Sequence, residues 1–309
     1  MVTIGAAGIL APGKWQWFRA IVWTVVLAVL FIVTVNLVAD AWLRLAAIAG
    51  GGTFTTRSAA PEGDKLIGVT LGACAALGVY WGAVRLAERR TVPELTLRHL
   101  PLDLALGLAV GAALIASIIV ILWSFGWVAI EAQPVTSIVR ALRESIQSGV
   151  FEEVLFRLVL FRLLWRAFGI WPALVGSAGL FGVLHLSNPD SSWFAAVSLM
   201  AGEGIGIGLY LLTGRIWASI GMHAAWNFVQ GWVFGAGVSG MTAIAGGPLV
   251  TRPVAGTAER LSGGGFGPEA SLAALVVSLL ASAACLLWAW KLGRFVAADE
   301  KPDDVATAR

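Results

Sequence analysis

The chain has 309 residues, of which 58% are hydrophobic and only 13% are charged, and its formal net charge is +3. Soluble proteins carry about 25% charged residues, so this composition predicts a polytopic membrane protein rather than a globular domain. The small and scattered positive charge argues against a nucleic-acid partner. The two cysteines, Cys74 and Cys285, lie in apolar runs, and their spacing excludes a disulfide framework or a CxxC metal pair.

Apolar runs that approach the length of a bilayer crossing recur along the whole chain. A transmembrane helix needs about 20 such residues, and we find eight runs: 19–41, 66–86, 102–130, 147–168, 170–186, 193–213, 216–236 and 269–290. The runs are continuous rather than alternating, which favours helices over a β-barrel. We therefore predict an all-α, polytopic transmembrane helix bundle of about eight spans. It would form a single integral-membrane domain over residues 1–309, with a polar tail at about 295–309.

Lys and Arg residues in the connections predict the orientation in the bilayer. Arg85, Arg89, Arg90 and Arg98 lie in one connection, Arg162 and Arg166 flank another, and Lys291 and Arg294 follow the last span. The positive-inside rule then places both termini in the cytoplasm, and we expect a multi-pass protein of the cell membrane. Arg162 and Arg166 are expected to extend their side chains to the membrane interface.

An acidic and basic cluster interrupts the fourth run, where the sequence reads Glu152-Glu153-Val-Leu-Phe-Arg157. Ionisable groups at membrane depth cost roughly 2.5–3.5 kcal/mol each, so the cluster indicates a function. Successive helical residues advance by about 100°, which places Glu153 beside Arg157 and turns Glu152 toward a different cavity. A purely structural salt bridge is the alternative. Glu203 is a further intramembrane acid that would line the cavity, pair with Arg157 or make a packing contact.

Two more polar pairs, each four residues apart, lie on later apolar runs. They are Phe181 with His185, and His223 with Asn227. Each pair shares one helix face. A lone histidine near a helix end, such as His185, is typical of a capping or packing residue. Together with Glu152, the pairs predict a shared polar cavity formed by three helices.

The order of these motifs resembles that of a known family. EExxxR (Glu152, Glu153, Arg157), FxxxH (Phe181, His185) and HxxxN (His223, Asn227) are similar to the motifs of the CPBP family of intramembrane proteases. That family includes the CAAX prenyl endopeptidases and the Abi, bacteriocin-processing proteins. The segments His185-Leu-Ser-Asn-Pro189 and Thr213-Gly-Arg-Ile-Trp-Ala-Ser-Ile220 add to the likeness, which covers a protease core at about residues 145–235.

The resemblance implies an endopeptidase that cleaves a membrane-associated peptide or protein. Glu152 paired with His185 would activate a water molecule, and His223 and Asn227 would donate hydrogen bonds to the oxyanion. Glu153, Arg157 and Phe181 would support these four catalytic residues. The substrate and the lipid bilayer are the expected partners.

Two alternatives stay open. Our favoured interpretation requires no cofactor, but Glu152, His185 and His223 are also suited to bind zinc as three ligands. HExxH is absent, and Asn227 is a poor zinc ligand. The second alternative is a non-enzymatic membrane protein, such as a transporter subunit, an immunity protein or a scaffold. A transporter would show paired halves with broken helices, a pattern that we do not find in the sequence.

Overall fold

All eight predicted apolar segments are helical over most of their length in the computed structural model, which describes residues 1–136, 138–242 and 244–300, except for the side chain of residue 300. The long helices are α1 (Gln16–Ala49), α2 (Glu62–Ala83), α3 (Leu100–Ser124), α4 (Val139–Glu153), α5 (Arg162–Phe168), α6 (Ile170–Leu184), α7 (Trp193–Thr213), α8 (Trp217–Phe228) and α10 (Leu272–Lys291). A π-helical stretch, Val154–Phe161, joins α4 to α5. The short helix α9 (Glu259–Ser262) lies in the connection before α10.

Six of these segments are long and apolar enough to cross a membrane by length and composition: Gln16–Ala49, Glu62–Glu88, Pro93–Ser124, Ile170–Ser187, Trp193–Thr213 and Leu272–Lys291. The predicted polytopic helical bundle is therefore confirmed. The other two predicted spans are helical but are not among the six. The α4–α5 segment carries too many charged residues, and α8 with its π-helical extension Val229–Val233 is too short.

The third predicted span, 102–130, ends earlier than expected. Helix α3 stops at Ser124, and Gly126 adopts a positive φ of 69° that a continuing helix does not allow. Strand β1 (Val128–Ala132) follows and pairs antiparallel with β2 (Leu249–Pro253), so that Ile130 lies opposite Thr251. The all-α bundle thus includes one two-stranded sheet. This sheet attaches the long connection between α8 and α10 to the end of α3.

Close backbone packing sets the position of α8. A Cβ atom at Gly107 or Gly111 of α3 would overlap the carbonyl oxygens of Ala218 and Met222 on α8. On the other side of α8, a Cβ atom at Gly149 of α4 would lie 2.8 Å from the Cβ of Ala224. Such small residues allow helices to approach closely in membranes. As a result, α8 lies directly between α3 and α4.

Arg162 and Arg166 do not extend to the interface, so that expectation was wrong. Both side chains are buried. Arg162 forms an ion pair with Glu88 at 2.7 Å and donates to the carbonyl of Ile4 at 3.0 Å. Arg166 donates to the carbonyl of Leu10 at 2.7 Å. The N-terminal segment covers this end of the bundle and provides the acceptors that water would otherwise supply.

The predicted polar tail at 295–309 is described only in part, because residues 301–309 lie outside the described residues. Within the described part, the carboxylate of Asp299 accepts hydrogen bonds from the backbone N–H groups of Ile4 and Gly5, at 3.2 and 2.6 Å. The start of the chain and the segment after α10 are therefore bound to each other.

Candidate active site

The helices that carry the three motifs surround one cavity of about 410 Å³. All seven side chains predicted from the motifs line it: Glu152, Glu153, Arg157, Phe181, His185, His223 and Asn227. They come from α4 with its π-helical continuation, from the end of α6 and from the middle of α8. The predicted shared cavity is thus present in the structure.

Glu152 faces both histidines across this cavity. Its Oε2 atom lies 4.0 Å from Nε2 of His185 and 3.8 Å from Nε2 of His223. This oxygen is buried and makes no direct hydrogen bond, although about a third of the side chain (31%) is accessible. Both separations exceed a direct hydrogen bond and match pairs that a water molecule can bridge.

Phe181 orients the imidazole of His185 in two ways. The Nδ1 atom of His185 lies 2.8 Å from the carbonyl oxygen of Phe181, and the two rings pack with centroids 4.4 Å apart. A carbonyl oxygen only accepts hydrogen bonds, so Nδ1 carries the proton. In the neutral ring, Nε2 therefore presents a lone pair toward Glu152.

Glu153 is fully buried and contacts two of the other predicted residues. Its Oε2 atom forms an ion pair with Nε of Arg157 at 2.8 Å, as the helical spacing predicted. Its Oε1 atom lies 2.8 Å from Nδ1 of His223, a contact that the sequence did not reveal. The carboxylate accepts a hydrogen bond from Nδ1–H. In a neutral His223, Nε2 therefore also turns its lone pair toward Glu152.

Arg157 holds a second carboxylate, that of Glu203 on α7. Its Nη2 atom donates to Oε1 of Glu203 at 3.0 Å, and both side chains are buried. The absence of a side chain at Gly206 makes this possible, because a Cβ atom there would overlap the guanidinium group. Of the roles left open for Glu203, it both lines the cavity and pairs with Arg157.

Asn227 is connected to α4 through a residue that we did not predict. Its Nδ2 atom donates to Oγ of Ser148 at 2.8 Å. Ser148 lies four residues before Glu152 and therefore shares its helix face, so the spacing could have revealed it. The bond fixes the amide of Asn227 beside the Glu152 side of the cavity.

Ser239 and Glu269 also line the cavity and were missed by the sequence analysis. Oε1 of Glu269 accepts hydrogen bonds from the backbone N–H of Ser239 at 2.5 Å and from its hydroxyl at 2.7 Å. Burial raises the pKa of the Glu269 carboxyl, and the bonds from Ser239 oppose that rise. Ser239 lies in a glycine-rich connection without helical periodicity, and Glu269, which we placed at the start of the predicted span 269–290, precedes α10, so no spacing pointed to them.

The donor set fits zinc chemically, but its spacing is wide. Both imidazoles donate from Nδ1 and offer Nε2, the orientation that metal-bound histidines adopt. Two ligands of a tetrahedral zinc ion lie about 3.3 Å apart, less than the 3.8 and 4.0 Å between Glu152 and the two rings. Within the described part of the chain, no group of three or more His, Cys, Asp or Glu side chains is placed to hold a metal ion.

Comparison with protein families agrees with this arrangement. Residues 134–229 match the family model of the type II CAAX prenyl endopeptidase Rce1-like proteins. The matched segment is a little under a third of the chain, contains all seven predicted side chains and ends before Ser239 and Glu269. No curated protein and no solved structure matches the chain.

The family match and the helical bundle together indicate the class of the protein. The six apolar helices support an integral, multi-pass membrane protein, and the match supports a protease of the CAAX type. The match over residues 134–229 supports the CPBP/CAAX protease family that the three motifs predicted.

Proposed function

We propose that the protein hydrolyses a peptide bond of a membrane-associated peptide or protein with a water molecule activated by Glu152 and His185. The observation that carries this proposal is the 4.0 Å separation between Oε2 of Glu152 and Nε2 of His185 in the cavity. A water molecule about 2.8 Å from each atom would bridge them with ordinary hydrogen-bond lengths. Both atoms accept hydrogen bonds, so the water would direct its two protons at them.

Glu152 is the proton acceptor in this mechanism. Its carboxylate takes one proton from the water as the water oxygen attacks the carbonyl carbon of the substrate. The same carboxyl group then returns the proton to the leaving amine when the C–N bond breaks. His185 orients the water through its Nε2 lone pair, and the contact with Phe181 holds that ring in place.

Asn227 and His223 both line the cavity from α8 and would stabilise the oxyanion. Asn227 uses one amide proton for Ser148 and keeps a second to donate. His223 donates from Nε2 only as an imidazolium, because its Nδ1 proton is directed at Glu153. Glu152 and Glu153 flank the ring and would compensate that positive charge.

A zinc protease is the second candidate, and the orientation of the two imidazoles favours it. Glu152, His185 and His223 would hold the ion, which would act as a Lewis acid on a bound water. Purified protein should be analysed for bound metal and assayed before and after its removal. Full activity in a verified metal-free sample would exclude zinc. Activity lost with the metal and restored by zinc alone would contradict the metal-free mechanism.

The proposed function is tested by cleavage of membrane peptides in detergent, with the appearance of a new amino terminus as the readout. His185→Ala should lower the rate by about 10²–10⁴-fold, the usual range for acid–base groups. His99→Ala is the matched control, because His99 is exposed and lies at the opposite end of the bundle. A wild-type protein that cleaves no member of a broad peptide set would instead support the non-enzymatic alternative.

A further inference from the structure

One wall of the cavity comes from residues outside the segment that matches the family. Val238, Ser239, Met241, Ile244 and Glu269 line it together with the motif side chains. They belong to the connection 234–271, which runs from the π-helical end of α8 to α10. The cavity is therefore completed by a part of this chain for which the family match provides no information.

Glu269 joins the two ends of this connection. Its carboxylate accepts two hydrogen bonds from Ser239, 30 residues earlier in the chain. Its own backbone carbonyl accepts a hydrogen bond from Oγ of Ser198 on α7 at 2.6 Å. Only 4% of Glu269 is exposed. The residue is thus anchored to a membrane-spanning helix, and its side chain holds the far end of the connection.

Ser239 continues this set of bonds to the turn that carries His185. Its carbonyl oxygen accepts a hydrogen bond from Nδ2 of Asn188 at 2.9 Å, and the backbone N–H of Asn188 donates to the carbonyl of His185 at 3.1 Å. Ser239 has a φ of 48°, a left-handed conformation that non-glycine residues adopt at a cost. The hydrogen bonds to Glu269 and Asn188 hold it there.

His185 needs such support because α6 ends at Leu184. The histidine begins a short 3₁₀ turn, His185–Ser187, and so lies beyond the last residue of the regular helix. Its ring is oriented by Phe181, while the backbone of its turn is connected through Asn188 to Ser239. Movement of the connection would therefore shift the backbone on which His185 stands.

We propose that Glu269 is a positioning residue, which holds the connection 234–271 over the cavity and fixes the His185 turn through Ser239 and Asn188. The effect on catalysis rests on the proposed role of His185. The bonds from Ser239 require an oxygen acceptor at position 269 rather than a negative charge. A glutamine can therefore replace the glutamate, since its amide oxygen has two lone pairs.

The first experiment compares Glu269→Ala with Glu269→Gln in the cleavage assay. The alanine variant should lose about ten- to a hundredfold in kcat, the scale of effect expected when a catalytic group shifts by about 1 Å, with KM nearly unchanged. The glutamine variant should retain most of the wild-type kcat. Glu259→Gln, exposed on α9 of the same connection, is the control. Equal losses in the alanine and glutamine variants would overturn the proposal, because the charge itself would then be required.

The second experiment does not depend on peptidase activity. Arg260 is exposed in the connection and is followed by Leu261, and trypsin should cut after it faster in folded Glu269→Ala than in wild type or Glu269→Gln. Unchanged cutting and unchanged kcat in Glu269→Ala would refute the proposal. If the wild type cleaves no peptide but trypsin distinguishes the variants, the role of Glu269 in holding the connection is supported and the proposed function is contradicted.

Asn188→Ala tests the other end of the same set of bonds and covers the case in which Glu269→Ala does not fold. Asn188 is half-buried, and its removal leaves the Glu269–Ser239 bonds in place. This variant should lower kcat while trypsin cuts after Arg260 at the wild-type rate. A wild-type kcat in a folded Asn188→Ala protein would contradict the proposed connection to His185.

Discussion

The Nδ1 atom of His223 lies 2.8 Å from Oε1 of Glu153. This contact gives the two adjacent glutamates separate surroundings. Glu153 is fully buried between His223 and Arg157, whereas Glu152 directs Oε2 at the Nε2 atoms of both histidines. The separation follows from the helix, because neighbouring residues point about 100° apart.

Glu153→Gln should lower the cleavage rate although Glu153 does not face the substrate. The amide retains an oxygen for His223 but carries no negative charge to compensate Arg157 or a protonated His223, and altering the partner of such a histidine typically costs about 10–100-fold. The measurement is kcat, with circular dichroism to establish that the variant is folded. A folded variant with wild-type kcat would show that His223 does not need this carboxylate.

Arg162→Ala should destabilise the end of the bundle that lies opposite the cavity. Removal of the arginine leaves Glu88 as a buried and partly unpaired charge, and breaking such pairs costs about 3–5 kcal/mol. The measurement is the free energy of unfolding in detergent. Arg98→Ala is the control, because Arg98 is exposed at the same end of the bundle. Equal stabilities of the two variants would contradict the structural role of the Arg162–Glu88 pair.

The stability of the protein should depend on the protonation of Glu269. Burial raises the pKa of this carboxyl above the ordinary value of 4.5. Its favourable contribution is therefore complete below the ordinary pKa and is lost as the pH rises through the raised pKa. Glu269→Gln cannot lose a proton, so its Tm relative to wild type should be higher at about pH 8 than at about pH 4. A difference that stays constant or reverses would disprove this dependence.

The cavity should open toward the non-cytoplasmic side of the membrane. The end of the bundle that bears the N-terminus and the segment after α10 has the larger set of basic residues: Lys14, Arg19, Arg85, Arg89, Arg90, Arg98, Arg162, Arg166, Arg215, Lys291 and Arg294. The connection that covers the cavity lies at the other end, and the positive-inside rule places that end outside. In a protein without Cys74 and Cys285, Arg252→Cys should react with an impermeant maleimide in intact cells. Arg98→Cys should react only after the cells are opened, and the reverse pattern would invert the orientation.

The sequence predicts those parts of the site that repeat with helical spacing. Glu153 and Arg157 pair at i and i+4, and the two histidines proved to face one carboxylate. Arg162 and Arg166 also bind acceptors on Glu88, Ile4 and Leu10, which lie 74 to 158 residues away in the chain, so no local pattern indicates them. Ser239 and Glu269 meet only because an irregular connection folds back over the cavity. Such long-range contacts follow from tertiary packing rather than from periodicity.

The central claim is that Glu152 activates the water, and it is tested most directly by the single-turnover cleavage rate of Glu152→Gln. The amide has nearly the shape of the carboxylate but cannot accept the proton, so the rate should fall by about 10²–10⁴-fold while peptide binding is retained. Glu131→Gln, a change at an exposed residue of β1, should leave the rate unchanged. A Glu152→Gln protein that binds peptide and cleaves it at the wild-type rate would contradict the claim.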